Sequence, residues 1–442
     1  MCQGVVGCGG SDLVSALSDL HMKECALLLL ISFLLQGCGS SVDDNPQALS
    51  ANTVKIGLLA PLTGPVASFG RILEQSSKLA VKDINDAGGV NGQLVQLVVR
   101  DDQFDVATAQ EEAQHLVDLG VVALLGPAAS FITIPVAENV TIPAGLALLS
   151  PSATSASITD LADNNTVFRT VVSDAFQGLL LAEVIEEQGV TSIAIIQVDD
   201  VYGNGLTDTL VGAFSGEVLA RVKYPGGKEN NFGSEVNELF SNGVPEAVVM
   251  VTFNVDGANI TRDILAHNPQ PLPRFFAGDG VVSAAFIENA APSIIEGLIG
   301  TESSPPQDLP NFALYRQHLA ETLGISDPGD AVEGYSMYDA AFLVMLAMAQ
   351  GGENTREAVL ANIRAVSEAE SDDAQVVNVN EFSIGLAAIA QGLDINYEGA
   401  NGSVDFDSNG DIQNGFYSVQ QIQRDSNGIL QFVQIDSRAV PF

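Results

Sequence analysis

The sequence predicts an α/β protein of two doubly wound lobes, joined by a hinge that the chain crosses more than once. Short apolar runs alternate with amphipathic stretches from Thr53 onward, which is typical of strands separated by helices. The alternation forms two series, with a boundary near 170–174. The composition agrees with this class, because 42 glycines, no tryptophan and only 6% aromatic residues favour glycine turns, β-branched strands and Ala-rich helices.

The two series predict the elements of the two lobes in order. In the first series we expect strands at 54–59, 94–100, 121–125 and 146–149, with helices at 72–86, 107–119 and after Ser130. In the second we expect strands at 193–198, 218–224, 247–253, 274–277 and 297–301, with helices at 175–188, 206–214, 232–241 and 257–267. Strands separated by helices form parallel sheets, and ligands bind doubly wound sheets at the carboxyl ends of the strands.

The remaining chain predicts the hinge. Helices are expected at 309–323, 333–350 and 355–365, packed on the first sheet, followed by strands at 404–406, 416–423 and 430–435. We therefore expect one lobe to contain 53–172 and 304–403, and the other to contain 173–303 and 404–442. Several crossings between the lobes make a hinge, whereas a single crossing would leave two independent domains.

The charge excludes several classes of partner. The chain carries 55 acidic and 17 basic residues, a formal net charge of −38. Because 17 basic side chains are too few to neutralise a phosphate backbone, we expect no nucleic-acid partner. The same balance disfavours a polybasic membrane-surface module. Because 46% of the residues are hydrophobic, the acidic side chains decorate folded domains and not a disordered tail.

The amino-terminal segment predicts an exported, lipid-anchored protein. Lys23 precedes an apolar run at 26–35, and Leu35-Gln-Gly-Cys38 follows. At about 1.5 Å per residue this run is too short to span a hydrocarbon core of about 30 Å, but it suits a signal peptide. The ending resembles a bacterial lipobox, in which Cys38 receives the lipid. Segment 1–37 is then removed and 38–52 forms a flexible tether. The alternatives are an uncleaved short anchor or a chance match, and translation could start at Met1 or Met22.

No catalytic or metal-binding arrangement stands out in the sequence. All four cysteines lie at or before Cys38, so the folded part has no thiolates. The segment 405–411 resembles the opening of a calcium loop, but Phe416 stands where the closing glutamate is needed, which favours a hairpin turn at Asn409-Gly410. The histidines show no catalytic spacing, and no phosphate-binding glycine loop occurs. We expect neither an enzyme, a cofactor nor a metal.

Two turns carry hydroxyl groups at predicted strand ends. Ser130 follows the strand at 121–125 and begins a helix, where free N–H groups favour a carboxylate. The segment 150–154 (SPSAT) follows the next strand. From the residues alone, helix capping is the favoured interpretation of both turns.

Several longer segments, in order, resemble the leucine/branched-chain amino-acid-binding proteins. These are the type I periplasmic binding proteins of ABC importers. The resemblance rests on 60–70 (APLTGPVASFG), 83–92 (DINDAGGVNG), 100–102 (RDD), 125–130 (LGPAAS), 150–154, 200–206 (DVYGNGL), 278–280 (GDG) and 402–410. It runs through nearly all of 53–442, and it implies the type I periplasmic binding protein fold.

The resemblance also implies a ligand site. Ser130 and Thr154 match residues that bind the ligand carboxylate, Asp279 matches the acid that binds the α-ammonium, and aromatic residues line the cleft. The implied ligand-binding residues are Ser130, Ser152, Ala153, Thr154, Asp279, Tyr202, Phe253, Phe69, Ala128 and Tyr335. Ser152 and Ala153 would contribute backbone contacts.

Departures from the family pattern leave the ligand open. Asp279 replaces a glutamate, Phe69 and Phe253 replace tyrosines, and Phe104 and Ala129 replace the cysteines of a disulfide near the cleft. The expected function is binding of a branched-chain or other hydrophobic amino acid by an anchored, monomeric protein that delivers it to an importer permease. The alternatives are a sensing module that feeds no importer, and binding of an amide, a urea-like solute or an aromatic carboxylate.

Overall fold

The computed structural model describes residues 53–324 and 334–440. The predicted signal peptide, the tether and Cys38 lie outside these residues, as do the first residue of the helix predicted at 333–350 and the last two residues of the chain. In the described residues, no helix is both long and apolar enough to cross a membrane.

The first sheet has five parallel strands in the order β2-β1-β3-β4-β5. Its strands are β1 (Thr53–Ala60), β2 (Leu94–Asp101), β3 (Ala123–Leu125), β4 (Ala147–Ser150) and β5 (Val167–Arg169). The helices between them are α1 (Ala67–Asp86), α2 (Val106–Asp118) and α3 (Ser130–Val136). β3 and β4 are buried at every residue, which explains why they are continuous apolar runs and do not alternate. The predicted strands are confirmed, and β5 is an additional one.

The second sheet has seven strands in the order β15-β14-β10-β9-β8-β6-β7. Its strands are β6 (Ser192–Asp199), β7 (Glu217–Pro225), β8 (Ala247–Val251), β9 (Arg274–Ala277), β10 (Ile299–Ser303), β14 (Gly415–Arg424) and β15 (Leu430–Val440). Its helices are α4 (Asp174–Glu187), α5 (Val201–Ala213), α6 (Gly233–Leu239), α7 (Asn254–His267), α8 (Ala284–Asn289) and α9 (Pro292–Ile295). The five strands β6–β10 are parallel, whereas β14 and β15 add an antiparallel hairpin at one edge.

The chain between β10 and β14 returns to the first sheet. It forms α10 (Pro310–Leu323), α11 (Tyr335–Gly351), α12 (Arg356–Ser367), β11 (Gln375–Asn378), α13 (Phe382–Ala390), β12 (Ile395–Gly399) and β13 (Gly402–Ser403). α11 packs against α1 and against β3 and β4, and it is buried from Tyr335 to Ala349. A helix that is covered on every side needs no polar face, which explains its apolar sequence.

Three connections link the two sheets, at 170–173, 304–309 and 404–414. This is the two-lobed, doubly wound architecture that the alternating pattern predicts. The lobe limits of 53–172 with 304–403 and of 173–303 with 404–442 stay a prediction.

The expected strand at 404–406 is wrong. Phe406 makes only an isolated bridge to Ile412, and the nearest strand is the short β13. Between the two bridge residues the chain turns at Asn409-Gly410. The Asp407 carboxylate accepts the N–H of Asn409 at 2.7 Å. Gly410 has a φ of +82°, and a Cβ there would lie 2.2 Å from the Val167 carbonyl oxygen, so only glycine fits.

Candidate ligand-binding site

A cavity of about 400 Å³ opens where the carboxyl ends of strands in both sheets face one another. Side chains that follow β3 and β4 form its wall on the first sheet, and side chains that follow β8, β9 and β10 form its wall on the second. Nine of the ten predicted binding residues line it: Phe69, Ala128, Ser130, Ser152, Thr154, Tyr202, Phe253, Asp279 and Tyr335. This position agrees with the general rule for ligands of doubly wound sheets.

Hydroxyl groups are concentrated at the first-sheet wall. Ser130 begins α3 and is almost fully buried, and its Oγ accepts the N–H of Ser155 at 3.1 Å. This bond leaves the Ser130 hydroxyl proton available to a ligand. Ser152 differs, because its hydroxyl donates to the carbonyl of Ala128 at 3.0 Å.

Ala153 does not line the cavity. It is completely buried, and its N–H donates to the Ser150 hydroxyl at 3.0 Å. The geometry therefore gives no support to a ligand contact through the Ala153 N–H. The sequence could not reveal this bond, because Ser150 looks like any other hydroxyl of the turn.

A buried ion pair supports the turn after β4, which carries the Ser152 and Thr154 hydroxyl groups. Arg169, at the end of β5, is fully buried and forms a two-pronged pair with Asp411, at 2.5 and 2.7 Å. The same guanidinium donates to the carbonyls of Thr154 and Ser155, both at 2.9 Å. Through this one side chain, the turn after β4 is attached to the turn at 407–411.

Asp279 stands at the opposite wall, directly after β9. The Tyr202 hydroxyl donates to its carboxylate at 2.7 Å and in turn accepts the N–H of Gly280 at 3.2 Å. A Cβ at Gly278 would lie 3.0 Å from that hydroxyl, and one at Gly280 would lie 2.3 Å from the Thr252 carbonyl oxygen. The glycines on both sides of Asp279 therefore let the turn approach Tyr202 closely and aim the carboxylate at the cavity.

A second carboxylate lies near Asp279, and no sequence pattern indicates it. Asp174 is the first residue of α4 and is fully buried. The Thr154 hydroxyl and the Arg169 charge both act on this carboxylate and lower its pKa, but more weakly than burial raises it. Burial raises its pKa well above the ordinary carboxyl value, and the neighbouring charge of Asp279 raises that pKa further. Burial also raises the pKa of Asp279. No local pattern marks Asp174, because an aspartate at a helix start is commonplace.

Aromatic rings form the apolar part of the cavity. Tyr202 stacks on Phe253 at 5.4 Å between ring centroids. Phe104, which also lines the cavity, makes edge contacts with Phe253 at 5.4 Å and with Phe131 at 5.0 Å. Phe104 follows β2 and Phe253 follows β8, so this contact joins the two walls. In the sequence, Phe104 stands out only because it replaces a cysteine of the family pattern.

Tyr335 and several polar residues complete the lining. The Tyr335 hydroxyl donates to the carbonyl of Ser303 at 2.7 Å, so it ties the start of α11 to the end of β10. Residues that line the cavity and were not predicted include Ser68, Asn254, Ser283, Glu302, Gln307, Arg316 and Ser336. Across 53–324 and 334–440, no cluster of three or more His, Cys, Asp or Glu side chains could hold a metal ion.

A sequence model described as "Periplasmic binding protein" matches residues 53–380 of the chain. The chain belongs to the periplasmic binding protein family. This match covers both sheets up to β10 and most of the return to the first sheet, so it includes all the residues at the cavity.

Curated relatives of this periplasmic binding protein include a chemotactic signal transduction protein and an amino-acid-binding protein. One is the chemotactic signal transduction system substrate-binding protein BasB of Halobacterium salinarum, 26% identical over 84% of this chain and 87% of that protein. Another is the leucine-, isoleucine-, valine-, threonine- and alanine-binding protein of Pseudomonas aeruginosa, 26% identical over 86% of this chain and 92% of that protein. The relatives are solute-binding proteins and not enzymes, as the sequence predicts.

Solved structures confirm the fold of this periplasmic binding protein. The branched-chain amino acid transporter substrate-binding protein LivJ of Streptococcus pneumoniae, in complex with isoleucine, matches with a TM-score of 0.69 and 20% identity, over 86% of this chain and 99% of that one. A solute-binding protein of an ABC transporter from Rhodopseudomonas palustris, in complex with 3,4-dihydroxybenzoic acid, matches with a TM-score of 0.68 and 17% identity, over 87% and 97%. One fold thus holds ligands with and without an ammonium group.

Proposed function

We propose that the chain is the solute-binding protein of an ABC importer and binds a branched-chain or other hydrophobic amino acid in the cavity between its sheets. One observation carries this proposal: the cavity has hydroxyl groups at one wall, carboxylates at the other and aromatic rings between them. An amino acid has the complementary order of carboxylate, ammonium and apolar side chain.

Each part of the proposed ligand has an assigned group. The Ser130 and Thr154 hydroxyls bind the ligand carboxylate, and Asp279 binds the ammonium. Phe69, Phe104, Phe253 and Tyr202 surround the side chain. Closure of the two lobes on the ligand buries it and changes the surface presented to the permease, which is how the bound state is recognised.

A thermal-shift screen tests this assignment. The chain from residue 53 onward is heated with amino acids, amides and aromatic carboxylates. A ligand at about 100 times its Kd should add about 2.7 kcal/mol to the free energy of unfolding. We expect L-leucine, L-isoleucine or L-valine to raise the melting temperature most. A shift produced by 3,4-dihydroxybenzoate and by no amino acid would contradict the amino-acid assignment.

A sensing role is the second candidate, and the chemotactic relative favours it. The same cavity would serve either role, so affinity cannot separate them. Growth on the ligand as sole nitrogen source separates them, because deletion of an importer component abolishes uptake. Deletion of a sensor leaves uptake intact and abolishes the response to the ligand.

We further propose that Cys38 anchors the protein to the membrane through a lipid. This proposal rests on the order Lys23, apolar run 26–35 and Leu35-Gln-Gly-Cys38. Cys38→Ala should release the protein from the membrane fraction and block removal of segment 1–37. The lipid assignment is wrong if the variant still partitions with membranes at the processed mass.

A further inference from the structure

Three phenylalanines form one aromatic cluster that spans the two walls of the cavity. Phe104 follows β2 and Phe131 lies in α3, both on the side of the first sheet, whereas Phe253 follows β8 of the second sheet. The ring centroids of Phe131 and Phe253 lie 6.4 Å apart, and each of these rings meets Phe104 edge-on, at 5.0 and 5.4 Å. We call this cluster the aromatic latch, because its contacts to Phe253 form only when the two walls are close together.

A hydrogen bond also joins the two walls. Ser155, in the turn after β4, donates its hydroxyl proton to the carbonyl of Val201, the first residue of α5, at 3.1 Å. A Cβ at Gly205, further along α5, would lie 3.6 Å from the Ser155 hydroxyl, so helix and turn are in close contact. Protein groups alone make these contacts. They therefore stabilise the closed arrangement of the walls whether or not a ligand is bound.

The backbone at Phe104 has a conformation that bulky residues rarely adopt. Gln103 and Phe104 have φ values of +52° and +58°, in the left-handed region. Their N–H groups donate to the carboxylates of Asp101 and Asp102, at 2.9 and 2.8 Å, and these bonds hold the turn in this shape. Backbone strain of this kind is concentrated at ligand clamps and switch regions. Here the strained turn brings the Phe104 ring into contact with Phe253 on the opposite wall.

Phe131 takes part in the aromatic latch without facing the ligand. Phe104 and Phe253 both line the cavity, whereas Phe131 does not. Phe131 packs instead on the hydrophobic core of the first sheet. A substitution at Phe131 therefore changes the latch and leaves every residue of the cavity lining in place.

We propose that Phe131 is a positioning residue that sets the affinity for the ligand, because through the aromatic latch it favours the closed arrangement of the walls before the ligand binds. This inference rests on the proposed ligand site. When only the closed arrangement holds the ligand on both walls, the apparent Kd is the intrinsic Kd divided by the closed fraction. Loss of one aromatic contact should lower the ratio of closed to open protein by about two- to tenfold.

Small-angle X-ray scattering of the purified protein without ligand tests the closed arrangement. Phe131→Leu removes the ring and keeps an apolar side chain against the first-sheet core. We expect this variant to have a larger radius of gyration than the wild type, because more of it is open. Saturating L-leucine should then compact the variant more than the wild type. An equal radius of gyration in the two ligand-free proteins would overturn the proposal.

Phe382→Leu is the matched control. Phe382 of α13 meets Phe342 of α11 edge-on at 5.4 Å and 89°, the same geometry as that between Phe104 and Phe253. Both control residues belong to the return to the first sheet, so their contact does not join the walls. The control should lower the melting temperature and keep the wild-type radius of gyration. An equal rise of this radius in the control would show a general loosening of the fold and overturn the proposal.

Calorimetric titration with L-leucine tests the effect on affinity. The Kd should rise by about two- to tenfold in Phe131→Leu and stay at the wild-type value in Phe382→Leu. A wild-type Kd in Phe131→Leu would show that this residue has only a structural role. If L-leucine binds to none of the three proteins, the proposed ligand is wrong, and the scattering of the ligand-free proteins alone decides whether the aromatic latch favours closure.

Discussion

The two polar walls of the cavity differ in how they are built. On the first sheet, the hydroxyl groups lie on two turns that follow neighbouring strands, β3 and β4, and the Ser130 and Ser152 hydroxyls form hydrogen bonds with backbone groups. On the second sheet, the acidic wall brings together Tyr202 and Asp279 from two separate elements, which lie 77 positions apart in the chain. The hydroxyl wall is local and neutral, whereas the acidic wall is long-range and charged. Loss of one ligand-binding group should therefore cost more ligand affinity at the acidic wall.

The largest effect is expected from the ion pair beneath the hydroxyl wall. Arg169→Met leaves Asp411 without its partner and frees the carbonyls of Thr154 and Ser155. Breaking a buried pair by removing one member costs about 3–5 kcal/mol. We expect the free energy of unfolding, measured with urea, to fall by about this amount. The double variant Arg169→Met/Asp411→Leu should recover part of the loss, and a stability unchanged in the single variant would contradict the supporting role of Arg169.

Asp279→Ala tests the acidic wall. A buried ligand ammonium would lose its hydrogen-bonded counter-charge, which costs about 2–5 kcal/mol. The affinity for an amino acid should then fall by about thirty-fold to several-thousand-fold, at about 1.4 kcal/mol per decade. Calorimetric titration measures it. Binding within about threefold of the wild type would exclude Asp279 as the ammonium partner and leave it only a role in the turn after β9.

Ser130→Ala tests the hydroxyl wall, and Ser152→Ala is its matched control. Ser130 has a hydroxyl proton to donate to a charged ligand, and such a bond contributes about 1.5–3 kcal/mol. The Ser152 hydroxyl proton is already donated to Ala128, so its loss should weaken ligand binding much less. Equal losses of affinity in the two variants would show that the Ser130 hydroxyl has no special part in binding.

Phe104→Leu tests the aromatic contact that joins the two walls, and it should have the smallest effect. The change keeps an apolar side chain but removes edge contacts to Phe131 and Phe253, each worth about 0.5–1.5 kcal/mol beyond burial. Because Phe253 lies on the opposite wall, part of this loss should appear as weaker ligand binding. A fall in melting temperature with unchanged affinity would show that the Phe104 contacts stabilise the fold and have no part in ligand binding.

The hydroxyl wall could be predicted almost completely, and the acidic wall only in part. Ser130, Ser152 and Thr154 follow apolar strands whose ends were evident in the sequence, and nine of the ten predicted residues line the cavity. Asp174 was missed because its burial depends on Tyr417 and Arg169, which come from distant strands. The short strand β5, the elements β11 and β12 and helix α13 were missed as well. They are too short, or too uniformly apolar, to show a clear period.

The sequence by itself determined the two α/β series, their parallel strands and the position of the cavity at the strand ends. The series follow from local apolar periodicity, and the parallel strands follow from the rule that a parallel crossover needs a helix. It also determined that a glycine-flanked carboxylate follows β9. Only the tertiary structure decided that Asp174 lies near that carboxylate, that Arg169 is already paired with Asp411, and that Phe104 meets Phe253 across the cavity. The physical reason is that charge balance and burial depend on what lies nearby in space, and residues far apart in the chain supply those neighbours.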